Sequence, residues 1–289
     1  MAPTAKKLSA TSAGQLDNDE LALFLANLTD LSRPIIDRYF RALPDVMTKA
    51  DSSPVTIADR SVEQALREAI AAQFPDDIIV GEEFGLSAAL SGNDGAGSGT
   101  YKWVIDPIDG TKAFVSGKPA FGTLVGVTHD DRPIAGLIDM PVLDETYVGT
   151  AAGSVLNGTK LTASTVTAIN DANIATTSPE AFSPQGLAAF NKISAQAKIT
   201  NYGGDCHNFG LLAAGYIDAV IEDSLAPHDI MGVVQVMRGA GAIVTDFDGN
   251  DIDLATTSSL VCAGTAELHK AILALIQNQA HHKDMVALR

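Results

Sequence analysis

The chain has 289 residues, and hydrophobic residues make up 46% of them, which is enough apolar material for one large core or two smaller ones. Lysine and arginine number 19 against 35 aspartate and glutamate residues, so the formal net charge is −16, which disfavours nucleic acid and anionic membranes as partners. Two cysteines, no apolar segment near residue 1 and no run of about 20 apolar residues predict a cytoplasmic protein without disulfides or membrane spans.

The first 161 residues predict a loose tail, residues 1–16, and then an α+β domain, residues 17–161, in which helices pack on an antiparallel sheet. Apolar residues at helical spacing predict a helix from Asp17 to Leu43, with Asp17 as its N-cap and Pro34 as a kink or break. A second helix is expected from about Asp59 to Phe74, and the residues 90–99, rich in Gly and Ser, predict an exposed loop. Strands are expected at Ile78–Val80, Lys102–Ile105, Phe121–Thr128, Pro133–Met140 and Glu145–Thr150.

Residues 162–289 alternate between short apolar strands and helices, which predicts an α/β second domain. The expected strands are Ile174–Thr176, Ile199–Tyr202, Ala219–Glu222, Ile243–Thr245 and Leu260–Cys262. The expected helices are Gln185–Ala197, Cys206–Ala214, His228–Gly239 and Thr265–Gln277.

The most informative segment reads WVIDPIDGT and ends at Thr111. An apolar strand leads into Asp106 and Asp109, and the intervening proline and following glycine allow both carboxylates to point to one centre, with the Ile108 carbonyl between them. Oxygen ligands of this kind suit a hard cation such as Mg²⁺. A helix that begins at Gly110 and Thr111 would direct free N–H groups towards a phosphate. The alternative is a polar turn whose aspartates are only solvated.

Two further acidic segments occur at the ends of predicted elements. Glu82 and Glu83 directly follow a buried strand, and Asp229 lies at the start of an apolar helix. Alone, each is typical of a helix cap or a solvated charge. Together with the two aspartates above, they place four or five carboxylates at strand ends and helix starts, where active sites of α/β proteins gather.

In this order, the segments Gly81–Glu83, Asp106–Thr111 and Asp229–Gly232, with Ser53–Asp59 upstream, closely resemble the motifs of the inositol-monophosphatase superfamily. The resemblance covers nearly the whole chain. It implies a layered αβαβα sandwich of the inositol-monophosphatase/fructose-1,6-bisphosphatase type, a Mg²⁺-dependent phosphomonoesterase, a homodimer and sensitivity to Li⁺. The family commonly has tryptophan where this chain has His228, a departure that we expect to affect pocket shape more than metal binding.

The resemblance also implies roles for individual residues. Two or three Mg²⁺ ions would be bound by five groups: Glu82, Asp106, the Ile108 carbonyl, Asp109 and Asp229. Thr111 and Asp59 would activate the attacking water, and Glu83 would orient Thr111 or that water. The N–H groups of Gly110 and Thr111 would bind the phosphate.

The segments 110–124 and 202–208 resemble the histidinol-phosphate phosphatase branch of the superfamily. Asp205 and Glu222 would offer carboxylates to the ammonium and imidazole groups of L-histidinol phosphate, and Asn208 would read an imidazole nitrogen. Asp205 and Asn208 are equally typical of residues that cap the helix beside them. Two alternatives for function stay open: a phosphatase for inositol-1-phosphate or other sugar phosphates, and a catalytically inactive regulatory relative.

Overall fold

The structure, a computed structural model, describes residues 17–42, 54–87 and 101–287. The predicted tail and the predicted loop at residues 90–99 lie outside these ranges. The helices are α1 (Asn18–Asn27), α2 (Thr29–Tyr39), α3 (Pro54–Gln73), α4 (Thr111–Val115), α5 (Pro184–Ser194), α6 (His207–Ala213), α7 (Pro227–Gly239) and α8 (Ala266–Ala287). In the ranges described, every helix is too short or too polar to cross a bilayer.

Thirteen strands among the described residues form two sheets. The first sheet contains β1 (Ile78–Gly81), β2 (Gly85–Ser87), β3 (Tyr101–Asp109), β4 (Gly122–His129), β5 (Arg132–Met140), β6 (Glu145–Thr150), β7 (Gly153–Leu156) and β8 (Thr159–Lys160), in the spatial order β2-β1-β3-β4-β5-β6-β7-β8. The second contains β9 (Asn173–Thr176), β10 (Ile199–Tyr202), β11 (Ala219–Asp223), β12 (Ile243–Thr245) and β13 (Ser259–Ala263), in the order β10-β9-β11-β13-β12.

The elements stack in five layers because successive strand residues point to opposite faces of a sheet. In β3, Trp103 and Ile105 pack with α1, α2 and α3, whereas Val104 points into the core around α6 and α7. In β13, Cys262 points into that same central core, and Val261 packs with α5 and α8 on the outer face. The order helix, sheet, helix, sheet, helix confirms the predicted layered αβαβα sandwich.

A stripe of three glycines sets the position of α7 on the first sheet. Gly126, Gly136 and Gly149 are direct neighbours across β4, β5 and β6. A Cβ atom at any of them would lie 2.4 Å or less from a backbone atom of α7. The helix backbone therefore rests directly on the sheet, and this contact fixes the end of α7 that carries Asp229.

The structure corrects several boundaries predicted for helices. The first helix is divided at Leu28 and not at Pro34, which lies inside α2. Proline lacks the N–H that would bond the carbonyl four residues earlier, here that of Asp30, and α2 continues through it. Helix α3 begins at Pro54, ahead of the predicted start at Asp59, because proline is tolerated in a first helical turn. Helix α8 continues past Gln277 to Ala287.

The first sheet also differs from the prediction. It is mixed, not antiparallel, because β1 pairs in parallel with β3. Strand β3 continues beyond Ile105 to Asp109 through a register shift. Strands β2, β7 and β8, with the sequences GLS, GSVL and TK, were not predicted. The domain boundary after residue 161 stays a prediction, and the central core takes side chains from both halves of the chain, including Tyr147 and Val234.

Candidate active site

Asp106 and Asp109 face one centre because β3 is irregular between them. The register against β4 shifts between these two residues, which re-aims the second side chain. Asp106 is 2% exposed, and its Oδ1 accepts the Ile108 N–H at 3.1 Å. The Thr123 hydroxyl holds the strand in this shape by donating to the Pro107 carbonyl at 2.8 Å. The segment is therefore a rigid, hydrogen-bonded bend, which rules out the interpretation of two freely solvated aspartates.

Asp229 joins the two aspartates from the first turn of α7. Its Oδ2 accepts the Ala226 N–H at 2.7 Å, so one oxygen caps the helix. Carboxylate oxygens of Asp106, Asp109 and Asp229 lie within 4.8 Å of one another. Asp229 thus serves as a cap and as a member of the cluster, and the two interpretations of its sequence position are compatible.

Glu82 approaches the same centre from the turn after β1. Its N–H donates to the Ile105 carbonyl at 3.2 Å, which ties the turn to β3 just before Asp106. A carboxylate oxygen of Glu82, one of Asp106 and an imidazole nitrogen of His228 form a second group within 4.8 Å of one another. The Nε2 atom of His228 is 3.9 Å from Oε1 of Glu82 and 3.8 Å from Oδ1 of Asp229.

The donor set of these two groups fits divalent cations. Carboxylate oxygens dominate it, and Asp106 belongs to both groups, as expected for a ligand shared by two ions. Burial, and then Asp109, Glu82, Asp229 and Asp59, raise the pKa of Asp106 well above its usual value. Burial, Asp229 and Asp205 raise the pKa of Asp109 to about 7. Carboxyl groups gathered at this density need a cation to become ionised together.

Asp59 and Thr111 stand beside this cluster. Asp59 is buried in the second turn of α3, and its Oδ1 has no hydrogen-bond partner within the part of the chain that the structure describes. Burial and the charges of Glu82, Glu83 and Glu63 raise the pKa of Asp59 to about 8. An unpartnered buried carboxylate oxygen is costly unless an external group binds it, which is consistent with a water or an ion at this position.

The predicted phosphate cradle begins where β3 ends. Gly110 has a φ of 87°, a conformation that favours glycine, and Thr111 is the first residue of α4. The N–H groups of a first helical turn have no acceptor inside the helix. The Thr111 hydroxyl donates to the Ile108 carbonyl at 3.3 Å, so the predicted metal ligand and the predicted nucleophile-activating group are in direct contact.

Asp205 lies on the other side of Gly110. A Cβ atom at Gly110 would lie 3.0 Å from Cγ of Asp205, and the next N–H in the chain, that of Cys206, donates to Oδ2 of Asp109 at 2.7 Å. Helix α6 begins at His207, and its N-cap is Cys206 without a side-chain cap. The interpretation of Asp205 as a helix N-cap is therefore wrong, because the residue precedes the cap in a left-handed conformation with a φ of 46°.

Two neighbouring cavities contain the predicted substrate residues. A cavity of about 150 Å³ is lined by Asp109, Asp205, Glu222 and Asp229, among others. A wider one of about 680 Å³ shares Asp205 and Asp229 and extends past Gly110 to two lysines, Lys112 and Lys118. These lysines lower the pKa of Asp205, although burial raises it by more.

Glu222 is 4% exposed and is held from the second sheet. Its Oε1 accepts the Thr177 N–H at 2.6 Å and its Oε2 accepts the Thr176 hydroxyl at 3.1 Å, yet burial raises its pKa to about 7. Asn208 differs from it, because its amide donates to the Gly203 carbonyl at 2.9 Å and it lines neither of these two cavities. Its assignment to substrate stays a prediction.

Sequence reasoning missed three residues of the site. His228 was expected to affect pocket shape more than metal binding, but its ring lies among the candidate ligands. Glu63 and Arg67 were not singled out, although Glu63 accepts the Glu83 N–H at 2.7 Å and Arg67 pairs with Glu63 at 2.6 Å. The available signal was a glutamate and an arginine four residues apart on the apolar face of a helix, where unpaired charges are rare.

Comparisons with known proteins decide the family. The model of the inositol monophosphatase family matches residues 17–281. The chain belongs to the inositol monophosphatase family. A solved structure of an inositol monophosphatase from Zymomonas mobilis superposes with a TM-score of 0.80 at 34% identity, covering 90% of this chain and 98% of that one.

Two relatives of the chain have more specific names. The chain is 37% identical over 286 residues to the chloroplastic bifunctional phosphatase IMPL2 of Arabidopsis thaliana. This match covers 94% of the chain and 81% of the relative. The chain is 29% identical over 261 residues to a histidinol-phosphatase of Chlorobaculum parvum, covering 90% and 96% respectively. The family membership predicted from the sequence is confirmed, and the chain is a member of a phosphatase family with an acidic cluster able to hold a metal ion.

Proposed function

We propose that the chain is a Mg²⁺-dependent phosphatase that hydrolyses L-histidinol phosphate to L-histidinol and phosphate. The observation that carries this proposal is the cavity in which two carboxyl groups, Asp205 and Glu222, lie next to Asp109 and Asp229. A leaving group that sits there meets the acidic side chains of Asp205 and Glu222 in addition to those of Asp109 and Asp229. Such a lining favours a leaving group with an ammonium and an imidazole over a neutral polyol.

The proposed cation ligands are Glu82, Asp106, the Ile108 carbonyl, Asp109 and Asp229. When bound, Mg²⁺ ions polarise the phosphoryl group and favour ionisation of the attacking water. The N–H groups of Gly110 and Thr111 hold the phosphate oxygens as fixed donors. Gly110 and Thr111 directly follow Asp109 and line the wider cavity, so a phosphate bound to their N–H groups would lie next to the carboxylate cluster.

Asp59 is the proposed acceptor for the proton of the attacking water, together with the Thr111 hydroxyl. Burial and the charges of Glu82, Glu83 and Glu63 raise the pKa of Asp59, which makes its ionised form a stronger base than an ordinary aspartate. Glu83, whose pKa is also raised by burial and by Glu82 and Glu63, orients the water or Thr111 from the adjacent turn. Water attacks phosphorus directly, and the leaving oxygen departs without a phosphorylated side chain.

The name of one relative, a histidinol-phosphatase, supports the same substrate. The rival substrate is inositol-1-phosphate or another sugar phosphate, which the resemblance to an inositol monophosphatase structure favours. The full carboxylate set argues against a catalytically inactive regulatory relative, because a protein without catalysis has no need for buried, mutually repelling carboxylates. A homodimer and inhibition by Li⁺ are further proposals taken from the family.

The substrate proposal is tested by removing each charge from the cavity. Asp205→Asn and Glu222→Gln should each lower kcat/KM for L-histidinol phosphate by about 10- to 100-fold, because a hydrogen bond to a charged group contributes roughly 1.5–3 kcal/mol. Hydrolysis of p-nitrophenyl phosphate, whose leaving group has no cation, should change much less. Glu180→Gln is the matched control, since Glu180 is exposed, lies in sequence between the cavity residues Ser178 and Ala181, and accepts a hydrogen bond from the Ser178 hydroxyl.

A parallel loss for both substrates would show that Asp205 and Glu222 maintain structure and do not recognise the leaving group. A wild-type preference for inositol-1-phosphate over L-histidinol phosphate would reject the substrate and leave the phosphatase assignment intact.

A further inference from the structure

A buried glutamate of α3 organises the turn that carries Glu82 and Glu83. Glu63 has no exposed surface, and its Oε2 accepts the Glu83 N–H at 2.7 Å while its Oε1 accepts the Phe84 N–H at 3.2 Å. These two N–H groups belong to the turn between β1 and β2. The carboxylate of Glu63 therefore replaces the backbone acceptors that a longer element would have supplied.

Arg67 completes this arrangement one helical turn further along α3. Its Nε donates to Oε1 of Glu63 at 2.6 Å, and its guanidinium also donates to the carbonyls of Ile79 in β1 and Gly85 in β2. The pair thus holds both strands and the turn between them. Because a guanidinium presents several donors in a fixed plane, it can satisfy three acceptors on different segments at once.

The fit between the turn and Glu63 leaves no room for a side chain at Gly81. A Cβ atom at that residue would lie 2.0 Å from Oε1 of Glu63. On the opposite side, the Glu82 N–H donates to the Ile105 carbonyl at 3.2 Å, and the next residue of β3 is Asp106. The turn is held between α3 and β3, so the position of Glu82 relative to Asp106 depends on both contacts.

Stability alone does not account for this pair. Removing two charges from water is costly, and apolar residues of similar volume usually pack at least as favourably as a buried ion pair. The Glu63 charge also lies close to other carboxylates, since it acts on both Asp59 and Glu83. The pair instead provides directional hydrogen bonds. Glu63 supplies two acceptor oxygens and Arg67 supplies several donors to one short turn, which an apolar pair could not hold.

We propose that Glu63 and Arg67 are positioning residues that hold the Glu82–Phe84 turn so that Glu82 faces Asp106 across the cation site. This inference rests on the proposed role of Glu82 as a cation ligand. Removing the Glu63–Arg67 pair keeps every proposed ligand in the sequence but allows the turn to move. The consequence is a weaker cation site with largely intact chemistry once the site is filled.

The test is calorimetric titration of the metal-free full-length protein with Mg²⁺ and with Mn²⁺. Glu63→Gln should weaken cation binding by about 10- to 100-fold, the usual effect of changing a residue that orients a metal ligand. At saturating Mg²⁺, kcat should fall by a smaller factor than the affinity. Glu68→Gln is the matched control, because it makes the same change one turn along the exposed face of α3, where Glu68 accepts only from Gln64 among its described contacts.

Glu63→Gln leaves the Arg67 charge buried without its partner, so a second variant, Glu63→Gln with Arg67→Met, removes both charges. It should weaken cation binding as much as the single variant does. Arg67→Lys, which keeps the charge but not the planar fork, should give an intermediate loss. Ile70→Val, a buried truncation in the same helix, measures the effect of lost stability by itself and should leave cation affinity within about twofold of wild type.

The outcomes separate the inference from the function on which it rests. If Glu82→Gln binds both cations as tightly as wild type, the proposed ligand set is wrong. If Glu82→Gln loses affinity while the Glu63 single variant and the double variant keep it, the ligand set stands and the positioning role is overturned. An equal loss in Ile70→Val would also overturn it, because general destabilisation would then explain the effect.

Discussion

Asp106 and Asp109 hold protons more tightly than ordinary aspartates because they are buried beside other carboxyl groups. The pKa of Asp109 is raised to about 7, and that of Asp106 lies well above its usual value. A cation can be ligated only by the ionised forms, so its binding must displace the protons that remain. Proton binding to the carboxyl cluster and cation binding at the site are therefore coupled equilibria.

This coupling predicts that cation binding releases protons and strengthens as the pH rises. The protonated fraction of a group with a pKa of about 7 falls through neutrality, so affinity for Mg²⁺ or Mn²⁺ should increase between about pH 6 and pH 8. Calorimetric titrations in buffers of different ionisation enthalpy measure the number of protons released. Binding that is independent of pH and releases no protons would show that these carboxyl groups are not the ligands.

The residues with direct chemical roles were predictable because their types carry the chemistry. Asp106, Asp109 and Asp229 were identified from acidic residues at strand ends and a helix start, together with the family motifs. Glu63 and His228 were not, because their importance depends on which side chain faces which turn across segments distant in sequence. Asp205 was identified but left open between two roles, and only the observed start of α6 excludes the helix cap.

At the level of elements, the contact between α7 and the first sheet links packing to the site. Three neighbouring glycines allow the helix backbone to lie against β4, β5 and β6, and the first turn of that helix carries Asp229. The sequence predicted the helix and the strands separately. It could not reveal the glycine stripe, because its members become neighbours only once the strand register is known.

Gly136→Ala tests this contact, because the new Cβ would lie 2.2 Å from the Gly232 carbonyl oxygen. Overpacking of this kind should lower the free energy of unfolding by about 1–3 kcal/mol. Displacement of α7 should also weaken cation binding through Asp229. Denaturant unfolding and cation titration measure the two effects.

Gly158→Ala is the control for that experiment. Gly158 has a φ of 79° and open space around its Cβ position, so alanine there meets only backbone strain. Its unfolding should be affected and its cation binding unchanged. A Gly136→Ala protein with wild-type stability and wild-type cation affinity would contradict the proposed link.

On the scale of the whole molecule, the layered fold was available from the family motifs, whereas its order in space was not. Short β-rich runs bounded by turn residues identified most strands. The parallel pairing of β1 with β3 was not predicted, and the arrangement of two sheets around one central helix layer was implied only by the family resemblance. The net charge of −16 disfavours some classes of partner and does not indicate a fold. The physical reason is that local pattern defines elements, and long-range packing alone defines their neighbours.

The most direct test of the central claim is phosphate release by the purified wild-type protein from L-histidinol phosphate and from inositol-1-phosphate, with Mg²⁺ and after removal of metal by chelation. We predict release that depends on Mg²⁺ and returns when Mg²⁺ is restored, with a higher kcat/KM for L-histidinol phosphate. Full turnover in the metal-free protein would contradict the cation mechanism. A higher kcat/KM for inositol-1-phosphate would contradict the proposed substrate.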